Sequence, residues 1–392
     1  MKPEKFYPDT IKKALQQDPP GEWMPYVPEG CIRLSSGYPD PALVPSQQLK
    51  GAVSTLLDEE QDLPLHYIGS PRIDSLKAFI LARQEERGFP AKEEDVLITS
   101  GACQAIDLIA RILLDESSVV VVEAPTYMEA LEIFKNYTNQ IISIPIDKKG
   151  MQVEELAKLL ATRQEQGLPK PKLVYTIPTF QNPTGTTMSV ERRMQLLALA
   201  EQYDFLVLED DAYGELAFYQ SPKALKALDQ NERVFYVGSL SKVVAPGMRI
   251  GWISAASEFI QTLSWFKKDL DHPFSHASMS ALLETINYKD RLHQLNNRYQ
   301  EKCQVMLKAL ETYLPDSVTW YIPKGGYFVW VRIPGSDTSK LLTKASQAGV
   351  SYLPGEFFFM NQEEGKEYLR LSFSYESEGQ IEKGIKLLGS IL

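Results

Sequence analysis

Cysteine is scarce. Cys31, Cys103 and Cys303 are odd in number and far apart, which excludes a disulfide framework and a cysteine-based zinc site. Histidine is nearly as rare. Of four, only His272 and His276 have the spacing of a ligand pair, and Pro273 between them disfavours the uninterrupted helix that such a pair needs. No metal is expected. No stretch approaches the ~18 uninterrupted apolar residues of a membrane-spanning helix. The opening "MKPEKFYPDTIKKALQQDPPGEW" has no apolar signal-peptide core, so the cytoplasm is the expected location. Basic excess is also missing: 41 Lys and Arg stand against 51 Asp and Glu, a formal net charge of −10. With no long Lys/Arg block, the chain has no footprint for nucleic acid.

What the chain does have is apolar substance, 44% of 392 residues, enough for a large core and for about two to three domains at ~150 residues each. From about residue 95, short β-branched runs alternate with amphipathic helical ones: "DVLIT", "ACQAIDLIARILLD", "SVVVVEAP", "TYMEALEIFKNY", "QIISIPI". The alternation continues through "KLVYTIP", "SVERRMQLLALAEQYD", "FLVLED" and "RVFYVGS". Strands apolar on both faces and separated by helices predict an α/β domain, its parallel or mixed sheet covered by helices on each side. Near residue 290 the helical run "DRLHQLNNRYQEKCQVMLKALETYL" leads into "SVTWYI", "GGYFVWVRI", a helix at "TSKLLTKASQAG" and "KEYLRLSFS", a smaller α+β unit. The Pro-rich N-terminal segment is expected to join it. The expected division is residues 1–45 as N-terminal arm and part of the small domain, 46–290 as the large domain, and 291–392 as the C-terminal small domain.

Polar clusters directly follow the apolar runs: "TSGACQ" (99–104), "APTYMEA" (124–130), "IPTFQNPTG" (177–185), "LEDDAYGEL" (208–216), "GSLSK" with "GMRIG" (238–251), and "LRLSF" (369–373). All can open on the carboxyl edge of one sheet, where open α/β sheets place ligands. The Ser-Gly turn entering a helix suits a phosphate, with Ser239, Ser241 and Arg249 able to complete an anion cradle; plain turn chemistry explains the same dipeptide. Asp210 ends a strand and needs a cationic partner, such as a protonated ring nitrogen, unless it is a solvated cap. Lys242, between small hydroxyl residues and an apolar segment, has the setting of a desolvated amine nucleophile.

In this order, S-G-x-x-Q, P-T-Y, Q-N-P-T-G, E-D-D-x-Y and S-x-S-K-x-x-x-P-G-x-R-x-G-W resemble the fold-type I pyridoxal-phosphate aminotransferases of class I/II. The likeness is to the branch that includes 2-aminoadipate, kynurenine and aromatic aminotransferases and the aminotransferase domains of MocR regulators. It runs from "LSSGYPDPALVPS" to "YLRLSFSYES". The resemblance implies a mixed, mostly parallel seven-stranded sheet with helices on both faces, plus the smaller α+β domain. It makes pyridoxal 5′-phosphate the cofactor, held by Lys242 as internal aldimine, with Asp210 on the pyridinium nitrogen, Asn182 and Tyr213 on the phenolic oxygen, and Tyr127 stacked on the ring. Gly101, Ala102, Cys103, Ser239, Ser241 and Arg249 surround the phosphate. Tyr67 reaches the phosphate of a neighbouring subunit in a homodimer. Gly37, Asn182 and Arg370 bind substrate, Arg370 taking the α-carboxylate.

Two departures stand out. Relatives carry S-G-S-Q-Q at the phosphate turn where this chain has "SGACQ", replacing a hydroxyl and an amide by Ala102 and Cys103. The helix-turn-helix segment of MocR regulators does not precede the motifs. The expected reaction moves an amino group from an L-amino acid to a 2-oxo acid such as 2-oxoglutarate by a ping-pong mechanism. The alternatives are a lyase, racemase or cyclase on the same cofactor and, from another class, a non-catalytic amino-acid-sensing domain. Substrate identity is open at this stage. Trp23, Tyr26 and Tyr38 suggest an aromatic or long aliphatic side chain, or simply pack the N-terminal arm.

Overall fold

A computed structural model describes residues 3–16, 21, 27–67, 69–268 and 272–392. In chain order its strands are β1 (Ile32–Arg33), β2 (Val96–Thr99), β3 (Val119–Ala124), β4 (Ile141–Asp147), β5 (Gly150–Met151), β6 (Pro171–Thr176) and β7 (Leu206–Asp210). There follow β8 (Val234–Ser239), β9 (Gly251–Ser254), β10 (Thr319–Trp320), β11 (Phe328–Arg332), β12 (Val350–Ser351), β13 (Leu353–Pro354) and β14 (Tyr368–Ser372).

The large sheet runs β2-β9-β8-β7-β6-β3-β4-β5. Its five central strands, β8-β7-β6-β3-β4, are parallel, and β9 is antiparallel to both its neighbours. The expected seven strands are present, and a short eighth extends the edge. The eighth, β5, is a two-residue return of β4 that pairs Asp147 with Gly150, too short to leave a pattern in sequence. β3 and β8 are buried end to end, as "VVVVEA" and "VFYVGS" require, because helices cover both faces. On one face Ala102–Leu113 packs its apolar stripe over β3, β6 and β8; on the other, Val153–Glu165 and Val190–Tyr203 close a second core.

A four-stranded antiparallel sheet, β10-β11-β14-β13, forms the smaller unit, and the N-terminal β1 pairs in parallel with β12. The register aligns the carboxyl ends of the parallel strands: Thr176 lies beside Glu209, Asp210 beside Val237, and Ser239 beside Gly251. Gly238 lets β9 approach, since a Cβ there would meet the Trp252 indole at 2.2 Å. That edge faces β11 and β14, and the cleft between them collects the polar clusters.

Candidate active site

A cleft of about 750 Å³ opens between the carboxyl edge of the large sheet and the small sheet. Its floor begins at the end of β7, where three consecutive acids, Glu209, Asp210 and Asp211, have separate fates. Glu209 is buried and accepts the backbone N–H groups of Leu225 and Lys226; burial pushes its carboxyl up to about 7. Asp211 turns away from the cleft to pair with Arg87 at 2.7 Å and accepts the Tyr236 hydroxyl. Asp210 faces the cleft. Its Oδ2 accepts the Tyr175 hydroxyl at 2.9 Å and its Oδ1 the Ala212 N–H at 3.3 Å. Burial raises this carboxyl to about 6 against the pull of those donors.

Lys242 follows β8 on a loop clamped from two sides. Tyr327 donates its hydroxyl to the Lys242 carbonyl at 2.7 Å, and Arg291 Nε donates to the carbonyl of Val243. The Lys242 ammonium donates to the Gly37 carbonyl at 3.0 Å and stands 5.8 Å from the centre of the Tyr213 ring. Burial first, then the Arg370 guanidinium, lower this amine to about 8, so a neutral lysine is within reach near neutral pH.

The anion cradle is recognisable. Gly101 has φ +83° and precedes the helix Ala102–Leu113, whose first turn borders the cleft. The dihedral favours glycine, and a Cβ there would lie 2.6 Å from Arg249 Nη2 and push that guanidinium aside. Arg249 Nη2 donates to the Ser100 carbonyl, and Gln104 Oε1 accepts the Ser100 N–H, fixing the turn. Ser239 Oγ donates to Ser241 Oγ at 3.0 Å, which places both hydroxyls beside the helix start. Ala102 contributes no side-chain donor. The Cys103 thiol, raised to about 12 by burial and Glu129, donates to Glu129 Oε2 at 3.0 Å.

Arg370, on β14, crosses the cleft to meet the large unit. It donates to Asn182 Oδ1 and to the Ser35 carbonyl, both at 2.9 Å, and lies 4.1 Å over the Phe328 ring. Its Nε is buried without a partner, and no carboxylate pairs with it among the described residues. Burial lowers this guanidinium to about 10. Tyr127 and Tyr213 border the same space, each with its hydroxyl pushed above the usual range by burial.

Twelve of the residues picked from sequence thus line one cleft: Gly37, Ala102, Cys103, Tyr127, Asn182, Asp210, Tyr213, Ser239, Ser241, Lys242, Arg249 and Arg370. Gly101 backs it. Tyr67 does not border it and is 87% exposed. Tyr38 is at the opening, whereas Trp23 and Tyr26 lie outside the described residues. Sequence reasoning missed Tyr175, Tyr327 and Glu129. The first two read as ordinary strand aromatics, and Glu129, although inside the quoted "APTYMEA", as a surface helix residue.

This arrangement is shared with known proteins. The profile of the family "Aminotransferase class I and II" matches residues 30–388. Aromatic-amino-acid aminotransferase 1 of Thermococcus litoralis is 40% identical over 367 residues, 92% of this chain and 88% of that one. The crystal structure of Pyrococcus horikoshii kynurenine aminotransferase, in complex with PMP, superposes with a TM-score of 0.90 at 37% identity, covering 99% of this chain and 97% of that one. LysN, the α-aminoadipate aminotransferase of Thermus thermophilus, complexed with N-(5′-phosphopyridoxyl)-L-leucine, superposes at 0.88 with 31% identity, covering 100% and 98%. With its motifs gathered in one cleft and its whole length matched, the chain belongs to the class I and II aminotransferases, pyridoxal-phosphate enzymes of fold type I.

Proposed function

We propose that the protein transfers the amino group of an L-amino acid to a 2-oxo acid such as 2-oxoglutarate, in two half-reactions at one site. The observation that carries this reading is the convergence of Lys242, Asp210 and Arg370 on one cleft: a depressed amine, a buried carboxylate and a buried guanidinium with no carboxylate partner among the described residues. The residues suit pyridoxal phosphate. Asp210 is held at a raised pKa that a cationic ring nitrogen would relieve, and the turn at Gly101 is left without a side chain beside Arg249.

When bound, that cofactor supplies an electron sink for the carbanion formed at the substrate Cα. The chain's own residues do the rest. Asp210 would hold the ring nitrogen in its protonated form. Asn182 and Tyr213 would hold the ring oxygen, Tyr127 the ring, and Gly101, Ala102, Cys103, Ser239, Ser241 and Arg249 the phosphate. Arg370 binds the substrate carboxylate in a two-pronged grip and fixes Cα over the lysine, assisted by Asn182 and Gly37. The Lys242 amine, lowered to about 8, can accept and give back the Cα proton near neutral pH.

The same reading includes a cytoplasmic homodimer in which Tyr67 reaches the neighbouring subunit's phosphate. Its 87% exposure, next to Leu65 at 65%, supports a partner surface there. The three free cysteines suit a reducing compartment, and no described helix is long and apolar enough to cross a membrane. The division at residues 45 and 290 fits the pairing of β1 with β12, which ties the N-terminal arm to the small unit.

The test is incubation with a panel of amino donors and 2-oxoglutarate. Glutamate formed in amounts equal to the new oxo acid supports transamination. Ammonia without glutamate, or ligand binding without turnover, would replace it by a lyase or a sensing domain.

A further inference from the structure

Tyr299 and Tyr327 are fully buried, and neither takes part in the reaction set out above. A buried phenol must find partners for its proton and its oxygen inside the protein. Where these two find them is informative.

Tyr327 immediately precedes β11 and donates to the Lys242 carbonyl at 2.7 Å. A carbonyl can only accept, so the single Tyr327 proton is committed there. The two phenol oxygens are 3.2 Å apart, and since Tyr327 cannot give the same proton twice, the proton between them comes from Tyr299. Tyr299, on the helix Tyr288–Tyr313, accepts the backbone N–H of Asp40 at 3.1 Å. The bonds therefore run one way, from the Asp40 amide through both phenols to the lysine's backbone.

The segment that begins this relay also holds the other end of Lys242. The Gly37 carbonyl, three residues before Asp40, accepts the Lys242 ammonium at 3.0 Å. Residues 37–40 thus grip the lysine at its amine and, through Tyr299 and Tyr327, at its carbonyl, closing a ring of hydrogen bonds. The segment is itself pinned. Ser374 donates its hydroxyl to the Tyr38 carbonyl at 2.6 Å, and the buried Asp40 carboxylate pairs with the Lys302 ammonium at 2.5 Å and accepts the Ala42 N–H at 2.9 Å. The Tyr327 ring meets Tyr299 edge-on at 4.8 Å and Tyr213 at 5.6 Å, so it is fixed by packing as well.

We infer that Tyr299 and Tyr327 are positioning residues for proton transfer at Lys242: with the segment 37–40 they set where the lysine sits in the cleft, and neither borders that cleft itself. This rests on Lys242 as the group that moves the Cα proton. Bonds in series act as a unit, so losing both phenols should cost little more than losing the one next to the lysine.

The test uses Tyr327→Phe, Tyr299→Phe and the double variant, each of which keeps the rings and removes only hydroxyls. Exchange of a donor amino acid's Cα hydrogen for solvent deuterium, followed by NMR on the pyridoxal-phosphate-loaded enzyme, reports the proton transfer whatever becomes of the carbanion. Tyr327→Phe should lower that exchange and kcat about tenfold with KM nearly unchanged, and should raise the isotope effect of a Cα-deuterated donor on kcat. Tyr299→Phe should lower both rates about fivefold, and the double variant should stay within about twofold of Tyr327→Phe. In the cofactor-free protein, either single variant should lose amide-exchange protection over 37–40 and 242–245, a change that needs no turnover. Wild-type rates in the single variants overturn the inference, as does a rise in KM at constant kcat, an unchanged isotope effect, or losses that multiply to about fiftyfold in the double variant. If Tyr327→Phe does not fold, Tyr299→Phe decides by the same rates and isotope effect. A wild type that exchanges no Cα hydrogen refutes the role of Lys242 instead, and the inference falls with it.

Discussion

Asp210→Asn separates what the cleft does for the cofactor from what it costs the fold. Asp210 is 4% exposed, and its carboxyl is raised from 3.8 to about 6 by burial, with the Tyr175 hydroxyl and Ala212 N–H holding it down. A carboxyl with a raised folded-state pKa binds its proton more readily folded than unfolded. Stability is therefore undiminished below pH 3.8, falls as pH rises through the interval up to about 6, and is lowest above it. A shift of about 2 pK units is worth about 3 kcal/mol at 1.36 kcal/mol per unit, the cost borne by the cofactor-free protein at pH 8. Asparagine carries no charge, and its amide can donate to the Tyr175 hydroxyl once that hydroxyl rotates. Cofactor-free Asp210→Asn should then be more stable than the wild type at pH 8. With an unfolding entropy of about 2.1 cal/mol/K per residue, the thermal midpoint should rise by about 4 °C. By pH 5 the advantage should shrink to about half, following the titration. Added pyridoxal phosphate should stabilise the wild type more than the variant, because only the carboxylate pairs with the ring nitrogen. Thermal melts of both proteins at pH 5 and 8, with and without cofactor, are the assay. A variant no more stable than the wild type at pH 8, or equally favoured at both pH values, would refute the reasoning.

Arg370→Lys keeps a charge but loses the planar fork that reaches Asn182 Oδ1 and the Ser35 carbonyl together; kcat/KM should fall about 100-fold or more for every amino donor, chiefly through KM. Arg87→Leu leaves Asp211 buried with the Tyr236 hydroxyl but no cation, and should destabilise the protein by about 3–5 kcal/mol in urea unfolding. Ala102→Ser places a hydroxyl on the first turn of the helix at the anion cradle and should tighten pyridoxal phosphate about fivefold in a fluorescence titration, one neutral hydrogen bond's worth. Unchanged affinity there would mean that the phosphate is held by backbone groups, Ser239, Ser241 and Arg249 alone.

Much of this was legible because the parallel strands are apolar on both faces. "VVVVEA" and "VFYVGS" could be little else, and a polar cluster after each such run marks the carboxyl edge of the sheet. Several of the shortest elements were not. Gly251–Ser254 was read only as the tail of the Arg249 motif, and Val350–Ser351 and Leu353–Pro354 form because tertiary neighbours supply the pairing. Contacts between distant positions were equally hidden. Arg87 finds Asp211 across 124 positions, so the sequence shows an acidic pair at the end of β7 but not that one member is neutralised from behind. Tyr175 and Tyr327 are good strand formers, and their hydroxyls acquire roles only where Asp210 and the Lys242 carbonyl are brought to them.

The account depends most on one ε-amine, and trapping it is the direct measurement. Borohydride reduction of the cofactor-loaded protein, followed by proteolysis and mass spectrometry, should place the phosphopyridoxyl mass on Lys242, and Lys242→Ala should lose both the label and turnover while keeping its fold. Label on a different lysine, or a folded and cofactor-saturated protein with Lys242 unmodified, would contradict it.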